Sequence, residues 1–403
     1  MRRKIVVTGM GAVTPIGIGV EEYWNNLTAG ACGVGPITRF DPSALAVRIA
    51  AEVREFKPEN HLPRKLISQT DAFTQYAYTA AEEALGGGPL PAEPERMGIV
   101  MGTAMAGVAT TAATQEILTR AVHKNVGPRF VPRILGNIAA AQIAIAHDIR
   151  GTSLTVSTAC ASGGDAIAAA AALLLSDEAD AVLAVGAESI LCPLVIYSMA
   201  NSQALSRGNS DPLHAARPFD AQRSGFVIGE GGGALLLETK SHAKARGAAV
   251  YAELAGWANN NDAYHVTDPD PEGKTAAACM RQALRKAALE PGEVGYINAH
   301  GTGTRAGDAA EAAAIQMVFG GARPRISSTK GATGHMMGAG GITEAIACIQ
   351  ALRTGVLPPT LNLEQPEANL AFVANRAEQT EITAAMTNAF GFGGQNSSLV
   401  FRK

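Results

Sequence analysis

Short runs of consecutive apolar residues alternate along this chain with longer stretches in which apolar residues recur every three or four positions. The runs predict buried strands at residues 4–8, 97–101, 152–157, 179–185, 232–238, 250–256, 294–298 and 325–328. The periodic stretches predict helices at residues 23–27, 68–85, 161–175, 275–288 and 342–353. Strands and helices that alternate in this order are typical of an α/β protein.

Two internal similarities indicate that the fold is duplicated. Segments 157–160 and 328–331 both lie where a predicted strand turns into a helix of small residues. The glycine-rich segments 229–232 and 391–394 both precede an apolar strand. Because the two pairs occur in the same order, we expect two related halves.

A polar, basic stretch at residues 240–247 is the expected junction between these halves. The chain has 403 residues, which is enough for two domain-sized units. We predict an N-terminal half over residues 1–245 and a C-terminal half over residues 246–403.

Composition argues against several classes of protein. The chain has 33 Lys and Arg against 36 Asp and Glu, a net charge of −3, which argues against a nucleic-acid-binding protein. The apolar run after the basic N-terminus is too short for a signal peptide, and no apolar stretch is long enough to span a membrane. Five widely spaced cysteines without a C-x-x-C pair indicate neither a disulfide framework nor a zinc site. We therefore expect a soluble, cytoplasmic protein.

The glycine-rich segment at residues 9–14 partly matches the dinucleotide-binding pattern G-x-G-x-x-G. Its third glycine is missing and Pro15 follows at once, so a helix that holds a pyrophosphate cannot begin cleanly there. We interpret the segment as a turn between strand and helix. A dinucleotide-dependent oxidoreductase is the alternative, and titration with the cofactor would test it.

Cys160 is the candidate nucleophile, because it lies at a predicted strand-to-helix turn between Ala159 and Ala161. The positive end of a helix dipole is expected to lower the pKa of a thiol in this position, and small neighbours leave room for a thioester. The alternative is a buried structural cysteine. We assign the other four cysteines to packing.

His300 and His335 stand in glycine-rich turns, His300 at the end of a predicted strand and His335 within residues 330–341. Ligands of open α/β sheets bind at the carboxyl ends of the strands, so these histidines are better site candidates than histidines on helices. Together with Cys160 they indicate a site for nucleophilic catalysis.

Four motifs in uninterrupted order closely resemble those of the β-ketoacyl-[acyl carrier protein] synthases, most of all the elongating type II synthases. They are Ser-Thr-Ala-Cys-Ala-Ser-Gly at 157–163, Asn-Ala-His-Gly-Thr-Gly-Thr at 298–304, Ser-Thr-Lys-Gly-Ala-Thr-Gly-His at 328–335 and Asn-Ala-Phe-Gly-Phe-Gly-Gly at 388–394. The resemblance implies the thiolase fold, an αβαβα layered sandwich of two similar halves, and a homodimer. It also implies a decarboxylative Claisen condensation that needs no redox cofactor and no catalytic metal.

The resemblance assigns the acyl-transfer step to Cys160 and Phe392. Cys160 would take the acyl group from an acyl carrier protein and hold it covalently. The backbone N–H groups of Cys160 and Phe392 would form the oxyanion hole. Phe392, which stands between glycines, would also line the acyl pocket and the pantetheine tunnel and act as a mobile gate.

The resemblance assigns the condensation step to His300 and His335, which would donate hydrogen bonds to the enolate formed when malonyl-carrier protein loses CO₂. Lys330 and Glu344 look like the charged pair that orients the histidines. The alternative for Lys330 and Glu344 is an ordinary surface pair.

The remaining assignments concern substrate binding. Thr302 and Thr304 look like the hydroxyls that hold the phosphopantetheine arm, with Thr267 lining the tunnel; local turn capping is the alternative. Met105 and Met199 match positions of the acyl pocket that carry Ile and Phe in the familiar elongating enzyme, so the preferred chain length is open.

Carrier choice is open as well, because Gln395 stands where Thr is usual and Gln69 and Thr70 depart from the family pattern. Candidates for docking an acidic carrier protein are Arg64, Lys65, Arg129 and Arg133.

Two further functions remain within the same fold. A ketosynthase of a dissociated polyketide or polyene pathway would use the same residues on other chains. A non-catalytic partner that sets chain length characteristically loses the nucleophile, whereas Cys160 is present here. A thiolase would need a second catalytic cysteine in a glycine-rich turn, which this sequence lacks.

Overall fold

The computed structural model describes residues 3–120 and 126–403. The strands of this part of the chain are β1 Ile5–Thr14, β2 Gly17–Ile18, β3 Val34–Pro36, β4 Ile49–Ala51, β5 Met97–Gly102, β6 Ser153–Val156, β7 Ala181–Glu188, β8 Gly231–Thr239, β9 Ala252–Asn261, β10 Tyr296–Asn298, β11 Arg325–Ser327, β12 Val356–Leu357, β13 Ala371–Phe372, β14 Glu378–Gln379, β15 Ala384–Gly391 and β16 Gln395–Arg402. The α-helices are α1 Val20–Thr28, α2 Arg64–Gln69, α3 Ala72–Leu85, α4 Val108–Thr119, α5 Phe130–Ile134, α6 Ile138–His147, α7 Ser162–Leu175, α8 Pro193–Asn201, α9 Lys240–Ala245, α10 Lys274–Ala287, α11 Arg305–Phe319, α12 Lys330–Thr333 and α13 Gly340–Thr354.

The principal strands repeat one topology. In the N-terminal half the order is β6-β5-β7-β8-β1, and in the C-terminal half it is β11-β10-β15-β16-β9. In each half the first three of these strands are parallel and the remaining neighbours are antiparallel. The same order and the same directions in both halves confirm the predicted duplication. Strands β1 and β9 pair along Ile5–Val7 and join the halves.

The helices form three layers around these strands. Helices α7 and α13 pack against each other, and each contacts strands of both halves, so they form the central layer. Helix α3 packs on β1 and β8, and α10 packs on β9 and β16, which places them in the two outer layers. This is the αβαβα sandwich expected of the thiolase fold.

Glycines allow the two central helices to approach closely at their N-terminal ends. A Cβ atom on Gly163 would lie 2.7 Å from the carbonyl oxygen of Gly338, and one on Gly341 would lie 2.5 Å from the nitrogen of Gly164. Because the segments that carry Cys160 and His335 lead into these ends, the close packing brings the two candidate residues together.

The predicted turn at residues 9–14 is wrong, because β1 runs without interruption through this segment. A Cβ atom on Gly9 would lie 1.9 Å from the carbonyl oxygen of Ala84, and one on Gly11 would lie 1.9 Å from that of Ala80. The glycines therefore let helix α3 lie directly on the strand and are not needed for a change of chain direction.

Two further boundaries differ from the sequence prediction. The helix predicted from residue 68 begins at Ala72, because Asp71 caps it by accepting a hydrogen bond from the N–H of Phe73. The polar junction at residues 240–247 contains the short helix α9, which buries Ala243. Within the described residues, no helix has both the length and the apolar character needed to cross a membrane.

Candidate active site

Cys160 lies in a tight turn between β6 and α7. Ala159, immediately before it, has a φ of +50°, a left-handed conformation that is uncommon for a residue with a side chain. The hydroxyl of Ser162 accepts a hydrogen bond from the N–H of Thr158 and donates one to the carbonyl of Ala159, at 2.9 and 2.7 Å. The turn is thus held in a strained shape that fixes the position of the thiol.

The expectation that the helix dipole lowers the pKa of Cys160 is wrong in this structure. Burial raises the pKa of the thiol to about 11, although the charge of Lys330 and the backbone N–H of Phe392 act in the opposite direction. Removal of water is the largest effect, because Cys160 is only 8% exposed. The thiol therefore needs a nearby proton acceptor, and His335 Nε2 lies 3.0 Å from its Sγ.

The second histidine lies against the first. The rings of His300 and His335 are nearly perpendicular, with centroids 5.2 Å apart. Burial, followed by the charge of Lys330, holds the pKa of both imidazoles well below the usual range. Both are therefore neutral near neutral pH, and each offers one N–H donor and one acceptor nitrogen.

Cys160, His300 and His335 also meet the spacing of a metal-binding group, because their potential ligand atoms all lie within 4.8 Å of one another. Thiolate and imidazole are ligands that zinc prefers. The buried charge of Lys330 beside them opposes a cation, and the condensation expected from the sequence uses the three residues without a metal.

Lys330 and Glu344 form a buried ion pair behind the histidines. Their exposures are 2% and 3%, and the ammonium of Lys330 donates to the Glu344 carboxylate. They are therefore not the surface pair considered as the alternative. Lys330 begins helix α12, and Glu344 lies in α13, so the fold joins them across the glycine-rich turn.

The glycine-rich segment after β15 lies against the nucleophile. A Cβ atom on Gly391 would lie 3.0 Å from the nitrogen of Cys160, so this backbone approach requires glycine. The backbone N–H groups of Phe392 and Cys160 both act on the Cys160 thiol. Two donors thus converge on the thiol, and their role as an oxyanion hole stays a prediction.

A cavity of about 320 Å³ leads from the surface to Cys160. Its wall is mostly apolar and includes these residues named from the sequence: Met105, Cys160, Met199, Thr267, His300, Thr302, Thr304, His335 and Phe392. Lys330 and Glu344 do not line it and lie behind its wall. The structure therefore gathers the predicted binding residues around one cavity, whereas their individual roles stay predictions.

The threonines of the predicted pantetheine site differ in their surroundings. The hydroxyls of Thr302 and Thr304 lie 3.0 Å apart, and Thr304 also caps α11 by accepting from the N–H of Gly307. Local capping, the alternative from the sequence, is thus present at Thr304. Thr267 is exposed, with its hydroxyl 3.3 Å from Nδ1 of His265.

The candidates for carrier docking are not equally accessible. Arg64, Lys65 and Arg129 are exposed. Arg133 is half-buried, and its guanidinium donates to the carbonyl of Thr70 at 3.4 Å. It is therefore less suited to docking than the sequence indicates.

Two buried carboxylates that the sequence analysis did not single out hold the turn of His300. Glu311 accepts hydrogen bonds from the N–H groups of His300 and Gly301 at 2.8 and 2.7 Å, and burial raises its pKa to about 7. Asp308 accepts from the N–H of Gly303 at 3.0 Å, and burial raises its pKa to about 6. Asp308 and Glu311 are three positions apart in the first turns of α11, directly after the His-Gly-Thr-Gly-Thr motif. This spacing places both carboxylates on one face of the helix and could have identified them from the sequence.

Comparison with known proteins gives consistent matches over the chain. Residues 2–243 match the family model Beta-ketoacyl synthase, N-terminal domain, and residues 251–364 match Beta-ketoacyl synthase, C-terminal domain. The 3-oxoacyl-[acyl-carrier-protein] synthase 2 of Coxiella burnetii is 41% identical, with 100% of this chain and 99% of that protein covered. Its counterpart from Synechocystis is 40% identical, with 100% and 98% covered.

Solved structures of related proteins superimpose over the full chain. The ishigamide ketosynthase/chain length factor has a TM-score of 0.93 at 35% identity, with complete coverage of both chains. AntDE:AntF, a type II polyketide acyl-carrier protein in complex with its ketosynthase, has a TM-score of 0.89 at 32% identity, again with complete coverage.

Proposed function

Because the chain belongs to the β-ketoacyl synthase family, we propose that it condenses an acyl group with malonyl-carrier protein to give 3-oxoacyl-carrier protein in fatty acid chain elongation. The observation that carries the proposal is the contact between a buried thiol and a neutral imidazole, with a second imidazole beside them. The curated relatives at 40% and 41% identity bear the name 3-oxoacyl-[acyl-carrier-protein] synthase 2.

In the first step, Sγ of Cys160 forms a bond to the thioester carbon of the acyl-carrier protein. The bond from that carbon to the pantetheine sulfur breaks, and the pantetheine thiol leaves with a proton. His335 Nε2, 3.0 Å from Sγ, is the nearest acceptor for the cysteine proton and can return it to the leaving thiolate. The N–H groups of Cys160 and Phe392 stabilise the oxyanion.

In the second step, malonyl-carrier protein loses CO₂ and leaves an enolate at the thioester. The N–H groups of the neutral His300 and His335 stabilise the enolate oxygen; for this step His335 carries its proton on Nε2, the nitrogen that is the acceptor in the first step. The enolate carbon then attacks the acyl carbonyl on Cys160, the carbon–sulfur bond breaks, and the 3-oxoacyl product stays on the carrier. Cys160 is released as a thiolate and takes up a proton from water, which restores the resting thiol. The ion pair of Lys330 and Glu344 orients the histidines from behind.

The cavity accommodates the two parts of the substrate differently. Thr267, Thr302 and Thr304 supply hydroxyls for the pantetheine arm near the entrance, whereas Met105 and Met199 supply apolar surface for the acyl chain. Phe392 is 41% exposed, lines the cavity between Gly391 and Gly393, and acts as the gate.

The partners follow from surface features of the single chain. The exposed Arg64, Lys65 and Arg129 suit an acidic carrier protein.

The outer edge of β6 is unpaired, with Leu154 43% exposed on it, and Ile145 of the neighbouring α6 is 76% exposed. A second copy of the chain that pairs along this edge would cover these apolar groups and give a homodimer. The free cysteines suit a cytoplasmic location.

A ketosynthase of a polyketide or polyene pathway is the second candidate. It is supported by the high structural similarity to the ishigamide and AntDE proteins, and by methionine at both Met105 and Met199 of the acyl pocket. A non-catalytic chain-length partner is disfavoured, because Cys160, His300 and His335 are all in place. Cys160 is the one cysteine in the described ranges that lines the cavity, which disfavours a thiolase.

Acyl loading tests the proposal. The protein is incubated with a ladder of saturated acyl-carrier proteins and weighed intact, beside the Cys160→Ala variant. We expect one acyl mass on the native chain and none on the variant, and the accepted lengths separate the fatty-acid role from the polyketide role. Absence of any adduct on the native chain would contradict the proposal.

A further inference from the structure

Glu188 is a fully buried carboxylate that ends strand β7 and is used by none of the steps above. It lies outside the four sequence motifs. It does not line the cavity, so it does not touch the substrate. Its function must therefore be sought in the groups that it binds.

Each of the two carboxylate oxygens of Glu188 accepts two hydrogen bonds. Oε1 accepts from the hydroxyl of Thr103 and from the N–H of Met105, each at 3.1 Å. Oε2 accepts from the N–H of Ala104 at 2.6 Å and from the N–H of Gly338 at 3.2 Å. One side chain thus joins a segment of the N-terminal half to a segment of the C-terminal half.

The two joined segments are neighbouring parts of the cavity wall. Ala104 and Met105 line the cavity. Met337, which precedes Gly338, lines it as well, with its sulfur 3.9 Å from Sγ of Cys160. The relative position of these two parts of the wall beside Cys160 is therefore set by the bonds to Glu188.

There is no free space between the walls where Glu188 joins them. A Cβ atom on Gly338 would lie 2.8 Å from Oε2 of Glu188 and 2.9 Å from the nitrogen of Ala104. Any group larger than hydrogen at this position must push the segments apart or displace the carboxylate.

We propose that Glu188 is a positioning residue that fixes the width of the acyl pocket and thereby its selectivity for chain length. The inference rests on the proposed function, because it takes the cavity beside Cys160 as the place of the acyl chain. Selectivity among chains that differ by methylene groups depends on how closely the pocket wall fits them.

The Glu188→Gln variant tests this inference. Glutamine keeps one accepting oxygen, but its NH₂ group cannot accept a hydrogen bond from a backbone N–H, so the backbone donors at one of the two oxygen positions lose their acceptor. We expect the ratio of kcat/KM for acyl transfer between long and short chains to change by about tenfold. The final extent of Cys160 alkylation by iodoacetamide, rather than its rate, reports whether the thiol is still accessible, because the charge of Glu188 also raises the pKa of the thiol.

Glu52→Gln is the matched control, because Glu52 is also buried. Its carboxylate accepts hydrogen bonds from the N–H groups of Thr38 and Arg39 and from the hydroxyl of Thr38. It does not line the cavity. The control should keep the native chain-length ratio even if it lowers stability. A ratio that stays within twofold of native in a folded Glu188→Gln protein would overturn the inference, as would an equal change in the control.

Gly338→Ala is a second variant, which widens the same junction and leaves the carboxylate present. It should change the chain-length ratio as Glu188→Gln does, and a native ratio in the folded variant counts against the inference even if Glu188→Gln fails to fold.

If no chain acylates the native protein, the proposed function fails. If the native protein is acylated with a chain preference that the variants share, only the positioning role of Glu188 fails.

Discussion

At the residue scale, burial determines the ionisation of the candidate catalytic groups. It raises the pKa of Cys160 to about 11 and lowers the pKa of His300 and His335 well below the usual range. The resting site is therefore a neutral thiol facing neutral imidazoles, which can exchange a proton over 3.0 Å and donate hydrogen bonds to a developing anion.

Glu311 gives a pH-dependent stability that can be measured. Burial raises its pKa to about 7, whereas a glutamate in an unfolded chain titrates near 4.3. Between these values the folded state binds more protons than the unfolded state, so this group's contribution to stability falls as pH rises. The difference in unfolding free energy, native minus Glu311→Gln, should fall by about 1 kcal/mol between about pH 6 and 8.

Urea denaturation of both proteins at the two pH values, at one protein concentration, measures this difference. Because His300 and His335 are present in both proteins, their own titration cancels. A difference in unfolding free energy that stays constant or grows with pH would show that burial does not raise the pKa of Glu311.

The sequence identified the candidate catalytic residues but not all of the groups that hold them in place. Cys160, His300 and His335 stand in motifs with unusual glycine content, so they could be found before the structure was known. Glu188 could not, because it acts on backbone N–H groups from the end of an apolar strand, and such contacts leave no motif or spacing in the sequence.

At the scale of elements, apolar runs predict the positions of the strands well but do not show what a glycine within a strand does. The predicted strands at 97–101 and 325–328 nearly coincide with β5 and β11. The turn at residues 9–14 was wrong, because a glycine that admits a neighbouring helix looks the same in sequence as one that reverses the chain. Helix α11 was not predicted, because its many alanines leave few large apolar residues to mark a helical period.

The contact between β1 and α3 makes Gly11 sensitive to substitution. A Cβ atom there would lie 1.9 Å from the carbonyl oxygen of Ala80. Gly11→Ala should lower the free energy of unfolding by roughly 1–3 kcal/mol, as overpacked cores do. Gly88→Ala is the control, because no atom lies within 4 Å of a Cβ atom there. Equal unfolding midpoints in urea for the two variants would contradict this account of the contact.

At the scale of the whole molecule, duplication explains the position of the site. The two halves share one strand order, and their equivalent helices α7 and α13 meet in the central layer. Cys160 precedes the first of these helices and His335 precedes the second, so the site forms only when both halves pack together. The predicted boundary at residue 245 put Cys160 in one half and the two histidines in the other, whereas the distances between them required the fold.

The proposed homodimer depends on the free edge of β6. Leu154→Asp would place a carboxylate in the interface, where burial of an unpaired charge costs several kcal/mol. We expect the native chain to elute with twice the mass of one chain in size-exclusion chromatography with light scattering, and the variant with the mass of one. Val250→Asp, a control at a 47% exposed residue away from β6, should stay dimeric. A dimeric Leu154→Asp protein would show that β6 is not the interface.

The most direct test of the central claim is condensation on protein already acylated at Cys160. Malonyl-carrier protein is added, and the acyl-enzyme mass and the carrier-bound product are followed for the native chain and for acylated His300→Ala. We predict that the native chain loses its acyl group to a 3-oxoacyl product, while the variant stays acylated and condenses roughly 10²–10³ times more slowly, because one enolate donor is missing. Equal condensation rates in the two proteins would contradict the role of His300, and a native acyl-enzyme that forms no 3-oxoacyl product would contradict the proposed reaction.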